Sequence, residues 1–203
     1  SRARMTGAGM GLSRCQGECQ QITLRRMADN DAPTLLLTRP ERSSQRFAKA
    51  CRAAFDDGVR IAIHPLMALH AVGRMPDLAD YRIVIFTSEA AVAEAAARSP
   101  NRAALAWCVG ERTAKAAAAA GFATRVAGGS ADALISQLRA ERPAGRALHL
   151  HGCHTRGDIA RRLTLAGLPT DTAVVYDQVA LPPSPAFFDV LSQSGPVILP
   201  LFS

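Results

Sequence analysis

Aromatic side chains are scarce in this chain of 203 residues, with seven Phe, two Tyr and one Trp. Its cores must therefore be built from Ala, Leu, Val and Ile. Lysine is nearly absent: of 24 basic residues only Lys49 and Lys115 are lysines. That bias toward Arg, together with the abundance of Ala, reads as the base composition of a genome rather than as chemistry. No run approaches the roughly 20 consecutive apolar residues that a bilayer-crossing helix needs, so no membrane partner is expected. The cysteines are odd in number and irregularly spaced, at Cys15, Cys19, Cys51, Cys108 and Cys153. This argues against a disulfide framework and for a reducing compartment, the cytoplasm. Residues 1–33 lack periodicity and an apolar h-region, which excludes a secretory signal. Recurrent apolar runs, at 48% hydrophobic content, exclude low-complexity disorder for most of the chain. The length suffices for one large domain or two small ones.

The net charge of +7 is unevenly distributed. Residues 1–26 hold five Arg and one acid, a balance of +4, and the remaining residues carry only +3. A nearly balanced body does not suggest a polyanion-binding surface, and no nucleic-acid partner is expected. An anionic small molecule suits it. The basic leader is read as translated sequence upstream of Met27, with an organellar transit peptide as the alternative. Ser1 in place of Met points to a fragment. Cys15 and Cys19 form a C-x3-C pair without a second pair nearby, too few ligands for structural zinc. At the other end, Val197–Phe202 reads as an apolar strand followed by Ser203 and nothing more. A buried parallel strand with no crossover after it is an unfinished unit, so the natural protein is expected to continue.

Between these ends a strand–helix alternation repeats. Residues 34–38 are an apolar run too short for a helix. Residues 41–57 place Phe47, Cys51, Ala54 and Phe55 on one helical face, closed by Gly58. Strands are expected at 60–63, 82–86, 107–110, 123–126, 147–151 and 173–176. Helices are expected from the Thr87–Ser88 cap through Ala97, and at 111–120, 132–141 and 156–166. This alternation implies a parallel sheet covered on both faces. Two extended segments, 63–72 with Pro65 and 174–181 before Pro182–Pro183, break the rhythm. They bracket a complete α/β block and can pair as a two-stranded ribbon. The expected division is a disordered leader (1–33), an outer domain in two parts (34–63 and 183–203), linker strands (64–72 and 173–182) and an inserted α/β domain (73–172). The fold class is α/β, with two doubly wound parallel-sheet domains of flavodoxin-like or Rossmann-like type, the outer one incomplete at its C-terminus.

From residue 34 to residue 203 the sequence resembles uroporphyrinogen-III synthase. The resemblance is carried by Leu36-Leu37-Thr38-Arg39-Pro40-Glu41, by Ile85-Phe86-Thr87-Ser88 with Val92, and by Val109-Gly110 with Thr113-Ala114. Gly152 with Arg156, Val175-Tyr176 and the terminal Leu201-Phe202-Ser203 complete it. Each piece alone is weak; their order and spacing make the match specific. The resemblance implies a cleft between two domains that closes the linear tetrapyrrole hydroxymethylbilane with inversion of ring D. Water leaves the hydroxymethyl group, an azafulvene cation forms, and a spiro intermediate fragments and recloses. It implies no cofactor and no metal, and a monomer is expected. The rival readings are a non-catalytic ligand-binding or regulatory protein of the same fold and, more distantly, a basic-tailed nucleic-acid binder.

The site residues follow from the resemblance. Tyr176 is the implied proton donor to the departing hydroxyl, or else a packed linker tyrosine. Thr87, Ser88, Gly110, Thr113, Gly152 and Arg156 fall at or beyond strand carboxyl ends, where open parallel sheets bind ligands. Helix N-termini there suit the substrate's acetate and propionate arms. Arg39 is a candidate for a carboxylate, or a solvated surface Arg, and Ser203 matches the hydroxyl after the last strand. Ala90 stands where the family often carries Asn or Arg, so one contact is expected to be missing. His149, His151, Cys153 and His154 invite a metal reading, but no carboxylate anchors them, and none is expected; His151 and His154 are placed near the substrate arms. Gly128-Gly129-Ser130 lacks the spacing of a phosphate loop and reads as a turn before a capped helix.

Overall fold

The structure is a computed structural model that describes residues 32–155 and 157–201. Most of the expected leader, Arg156 and Ser203 lie outside the described residues.

The chain opens with β1 (Thr34–Leu37), α1 (Glu41–Phe55) and β2 (Arg60–Ile63), and far downstream adds α6 (Pro185–Leu191) and β9 (Val197–Ile198). These strands form a three-stranded parallel sheet in the order β2-β1-β9. Successive strand side chains point to opposite faces, so an uninterrupted apolar strand needs cover on both. Leu35 and Leu37 pack with Ala48 and Cys51 of α1, while Leu36 packs with Phe187 and Val190 of α6.

The intervening segment builds β3 (Met67–Ala71), β4 (Ile83–Phe86), α2 (Glu89–Arg98), β5 (Leu105–Cys108) and α3 (Glu111–Ala119). It continues with β6 (Thr124–Val126), α4 (Ala131–Glu141), β7 (Ala147–Gly152), α5 (Ile159–Leu165) and β8 (Thr170–Ala180). The six-stranded sheet runs β3-β8-β7-β4-β5-β6, parallel except for β3. Val84 and Phe86 face a core shared with α2 and α3; Ile83, Ile85 and Trp107 face one shared with α4 and α5. The sheet is therefore wound on both faces. The connections from β4 and from β7 leave on opposite faces although the two strands are neighbours. That is a topological switch point, where such sheets open a crevice at their carboxyl ends.

Several expected boundaries shift for physical reasons. The first helix ends at Phe55 in a tight 3-10 turn, and the left-handed residue there is Asp56 (φ 48°), not Gly58. The helix expected from residue 156 starts at Ile159, because Gly157 (φ 95°) and Asp158 (φ 41°) are left-handed and cannot continue a right-handed helix. The strand expected at 173–176 and the extended crossing after it are one strand of 11 residues. Its first half pairs with β7 in parallel and its second half pairs with β3 antiparallel, Ala71 opposite Tyr176 and Met67 opposite Ala180. The apolar end at 197–202 contributes only two strand residues among those described.

Candidate functional site

The carboxyl ends of both sheets open onto one cleft of about 910 Å³. Thr38, Arg39 and Pro40 reach it from the end of β1, Thr87 and Ser88 from the end of β4, and Val109 and Gly110 from the end of β5. Met67 and Leu69 of β3 with Tyr176 and Gln178 of β8 form its floor. A side recess of about 300 Å³ shares Thr87, Ser88 and Tyr176 with the cleft and adds Gly152, His151 and His154.

Tyr176 is buried, with 9% of its surface exposed, at the point where β8 leaves β7 for β3. A register shift at His151/Gly152 marks that place, and the Cys153 amide donates to the Tyr176 carbonyl at 3.0 Å. The ring lies directly against Gly152: a Cβ on that glycine would meet two ring carbons at 2.6 Å. Gly152 is thus the space that seats the tyrosine. The phenol donates to Ser88 Oγ at 3.1 Å. Ser88 also caps α2, its Oγ accepting from the Ala91 amide at 3.2 Å. Accepting twice, the Ser88 hydroxyl keeps its own hydrogen to donate.

Gly110 is the N-cap of α3 and, as a glycine, has no side chain of its own to cap the helix. Its first-turn amides are therefore open to an anion. Thr113, buried in that turn, lines the cleft beside them. Arg39 lines the opposite wall; its carbonyl accepts from Ser44 Oγ at 2.8 Å, which secures the start of α1. The structure thus brings Tyr176, Thr87, Ser88, Gly110, Thr113 and Arg39 to one cleft and Gly152 to its recess.

The histidines behave differently from one another. His149 is buried and its ring centroid lies 4.8 Å from that of His151. Burial, reinforced by His151, pushes its pKa down to about 3, so it stays neutral. His151 bridges the Gly152 carbonyl and Thr172 Oγ1 through its two ring nitrogens. His154 is exposed and 3.8 Å from Asp177. Among the described residues no group of three or more His, Cys, Asp or Glu is arranged to hold a metal ion.

Sequence reasoning missed three charged residues of the cleft. Glu89 lies between Arg46, whose two terminal nitrogens reach its carboxylate at 2.8 and 3.3 Å, and Arg112, whose Nε reaches it at 2.8 Å. Nothing in an Arg-rich sequence singles out Arg46 or Arg112. Only the neighbourhood of Glu89 to the Thr87–Ser88 cap offered a signal.

A family model described as HEM4, uroporphyrinogen-III synthase HemD, matches residues 47–203. No curated protein matches the chain. The solved uroporphyrinogen-III synthetase of Helicobacter pylori 26695 is 19% identical, with a TM-score of 0.56 over 82% of this chain and 71% of that one. A mutant uroporphyrinogen III synthase of the extremely thermophilic bacterium Thermus thermophilus is 17% identical, with a TM-score of 0.46 over 77% of this chain and 65% of that one. At such identity the Helicobacter likeness speaks for the α/β fold alone.

Proposed function

The chain belongs to the uroporphyrinogen-III synthase family, enzymes of tetrapyrrole biosynthesis, and from that premise we propose that its cleft turns hydroxymethylbilane into uroporphyrinogen III. The observation that carries this reading is the convergence of both sheets' carboxyl ends, with the Tyr176–Ser88 hydroxyl pair, on one cleft. We infer that the two sheets are the cores of two domains, the outer one from residues 34–63 and 183–203 and the inserted one from 73–172. On this reading β3 and the second half of β8 are the linker between them.

The chemistry is a cationic rearrangement of the substrate, and the protein's part is to grip, orient and protonate. The acetate and propionate arms lie against the open amides of α3, the Thr113 hydroxyl and the positive ends of α2 and α3. Tyr176 gives its phenolic proton to the hydroxymethyl oxygen, which departs as water, while pyrrole nitrogen electrons form the azafulvene. Ser88 holds the phenol in place before transfer. A neutral phenol is a weak proton donor, which suits a leaving group that the pyrrole already expels. The substituted carbon of ring D then attacks, and the spiro intermediate fragments and recloses with the ring inverted. No step of this reading calls for a cofactor. We place the protein in the cytoplasm as a monomer; among the described residues no helix is long and apolar enough to cross a membrane.

The test is anaerobic incubation with hydroxymethylbilane, oxidation, and separation of type I and type III isomers. Type III product supports the reading. Type I alone, with tetrapyrrole binding retained, would favour a non-catalytic binding protein of the same fold. Tyr176→Phe keeps the ring against Gly152 and removes the proton; we expect kcat to fall by about 10²-fold, with KM little changed.

A further inference from the structure

We propose that Arg46 and Arg112 form a carboxylate subsite at the cleft, and that Glu89 is an internal stand-in whose place one acetate or propionate arm of the substrate takes. The proposal rests on the reading above that the cleft receives an arm-bearing tetrapyrrole, and it adds two residues and a displacement to it.

Arg46 projects from α1, which packs on the small sheet. Glu89 and Arg112 lie in the first turns of α2 and α3, which pack on the large sheet. The three side chains meet across the cleft and all line it. Arg46 approaches the Glu89 carboxylate with both ends of its fork, at 2.8 Å to Oε2 and 3.3 Å to Oε1, and Arg112 adds Nε at 2.8 Å to Oε1. Two guanidinium groups on separate elements thus surround a single carboxylate, leaving one positive charge uncompensated in the trio. Forked, charge-assisted geometry of this kind selects carboxylates and is poorly reproduced by other side chains.

Two features favour exchange over a permanent tie. The side chains are 49% exposed at Arg46, 66% at Arg112 and 30% at Glu89. Ion pairs this open to water are weak. Glu89 is also the first residue of α2, beside its Ser88 cap. A carboxylate there is favoured by the helix's positive end, so displacement from the arginines does not strand it. A substrate with several arms, one of them already on the α3 amides, brings the next to the arginines at high effective concentration. The exchange replaces a bridge within the protein by a bridge through the substrate, and both sheets then hold the same molecule.

A mere latch and a subsite differ in sign. If the trio only ties the sheets together, Glu89→Gln and Arg46→Gln break the same tie and act alike. If it is a subsite, Glu89→Gln removes a competitor while Arg46→Gln and Arg112→Gln remove the binding groups. The experiment compares the parent protein with these variants, by KM for hydroxymethylbilane and by Kd for uroporphyrin, a porphyrin with the same arms, read from fluorescence. Thermal unfolding of each variant confirms folding. We expect Glu89→Gln to lower KM and Kd severalfold, and each Arg variant to raise them about tenfold, with the effect in KM rather than kcat. Shifts in one direction for all three variants, or no shift in folded variants, would overturn the proposal. The two readings fail separately. Opposite shifts in uroporphyrin Kd, with only type I product from the parent, would leave the subsite standing and remove the synthase reading. Type III product with shifts in one direction would do the reverse.

Discussion

Gly152 and Tyr176 are two halves of one feature. The glycine has no side chain to collide with the ring, and the ring fills the space that a side chain would take. Gly152→Ala places a methyl group 2.6 Å from ring carbons set in a buried, strand-locked position. We expect a loss of about 1–3 kcal/mol, the usual cost of overpacking, measured by denaturant unfolding, together with loss of type III product as the phenol leaves Ser88. The motif Gly152…Tyr176 was visible in the sequence as two separate marks, a turn glycine and a strand tyrosine. Their contact was not, because it depends on the register between β7 and β8 and on the shift at His151/Gly152. His149 supplies a second prediction. Its pKa in the fold, about 3, lies below the ordinary 6.5 because burial resists the charge. Below pH 6.5 the unfolded chain takes up a proton that the fold refuses, so stability is lost as pH falls from about 6.5 toward 3, by up to about 1.4 kcal/mol per pH unit. His149→Leu should flatten that limb of the stability–pH curve; an unchanged slope would show that other groups carry it.

Helix ends and strand ends position the cleft. Ser88, Ser130 and Ser184 each accept from an amide in the first turn of α2, α4 and α6. The first two starts were legible as hydroxyl residues before apolar periodic segments. The α6 start was equally written, as Ser184-Pro185, but its seven-residue helix falls beside an apolar run and leaves little period to read. Arg98, at the last turn of α2, is a further element-scale device. Its guanidinium donates to the carbonyls of Val72, Val175 and Gly73 at 3.0, 3.2 and 2.6 Å. It thus clamps the end of β3 to β8 next to Tyr176. An ammonium is a single compact charge and cannot span three carbonyls in this fork. Arg98→Lys should therefore keep the charge yet cost about 1–3 kcal/mol and speed amide exchange at Val72, whose N–H bonds the Val175 carbonyl. Wild-type exchange rates there would refute the clamp.

At the scale of the molecule the apolar interior is divided. The large sheet is lined by two extensive clusters that include the buried Trp107 and Phe86, and the small sheet by two slight ones centred on Leu36 and Leu37. Stability follows buried apolar surface, so the two sheets should not melt together. Denaturant should release amides of β1 and β2 before those of β4 and β7, in two transitions; a single coincident transition in fluorescence and hydrogen exchange would contradict this. The alternation of strands and helices in sequence made both sheets legible, since each repeat carries its own periodicity. The facing of their carboxyl ends was not, because it is set by contacts between residues far apart, such as Arg46 with Glu89.

One strand joins these scales. β8 runs unbroken for 11 residues, from its parallel pairing with β7 into its antiparallel pairing with β3, and Tyr176 stands where one becomes the other. On the two-domain reading proposed above, a swing of the small sheet against the large one has to torque the paired β3 and β8, and the aromatic ring sits at their fulcrum. The other tyrosine, Tyr81, is bonded to Asp171 near the start of β8, away from that pivot. A fluorine on the Tyr176 ring would therefore act as a gauge of the gap's aperture, with Tyr81 as its built-in reference.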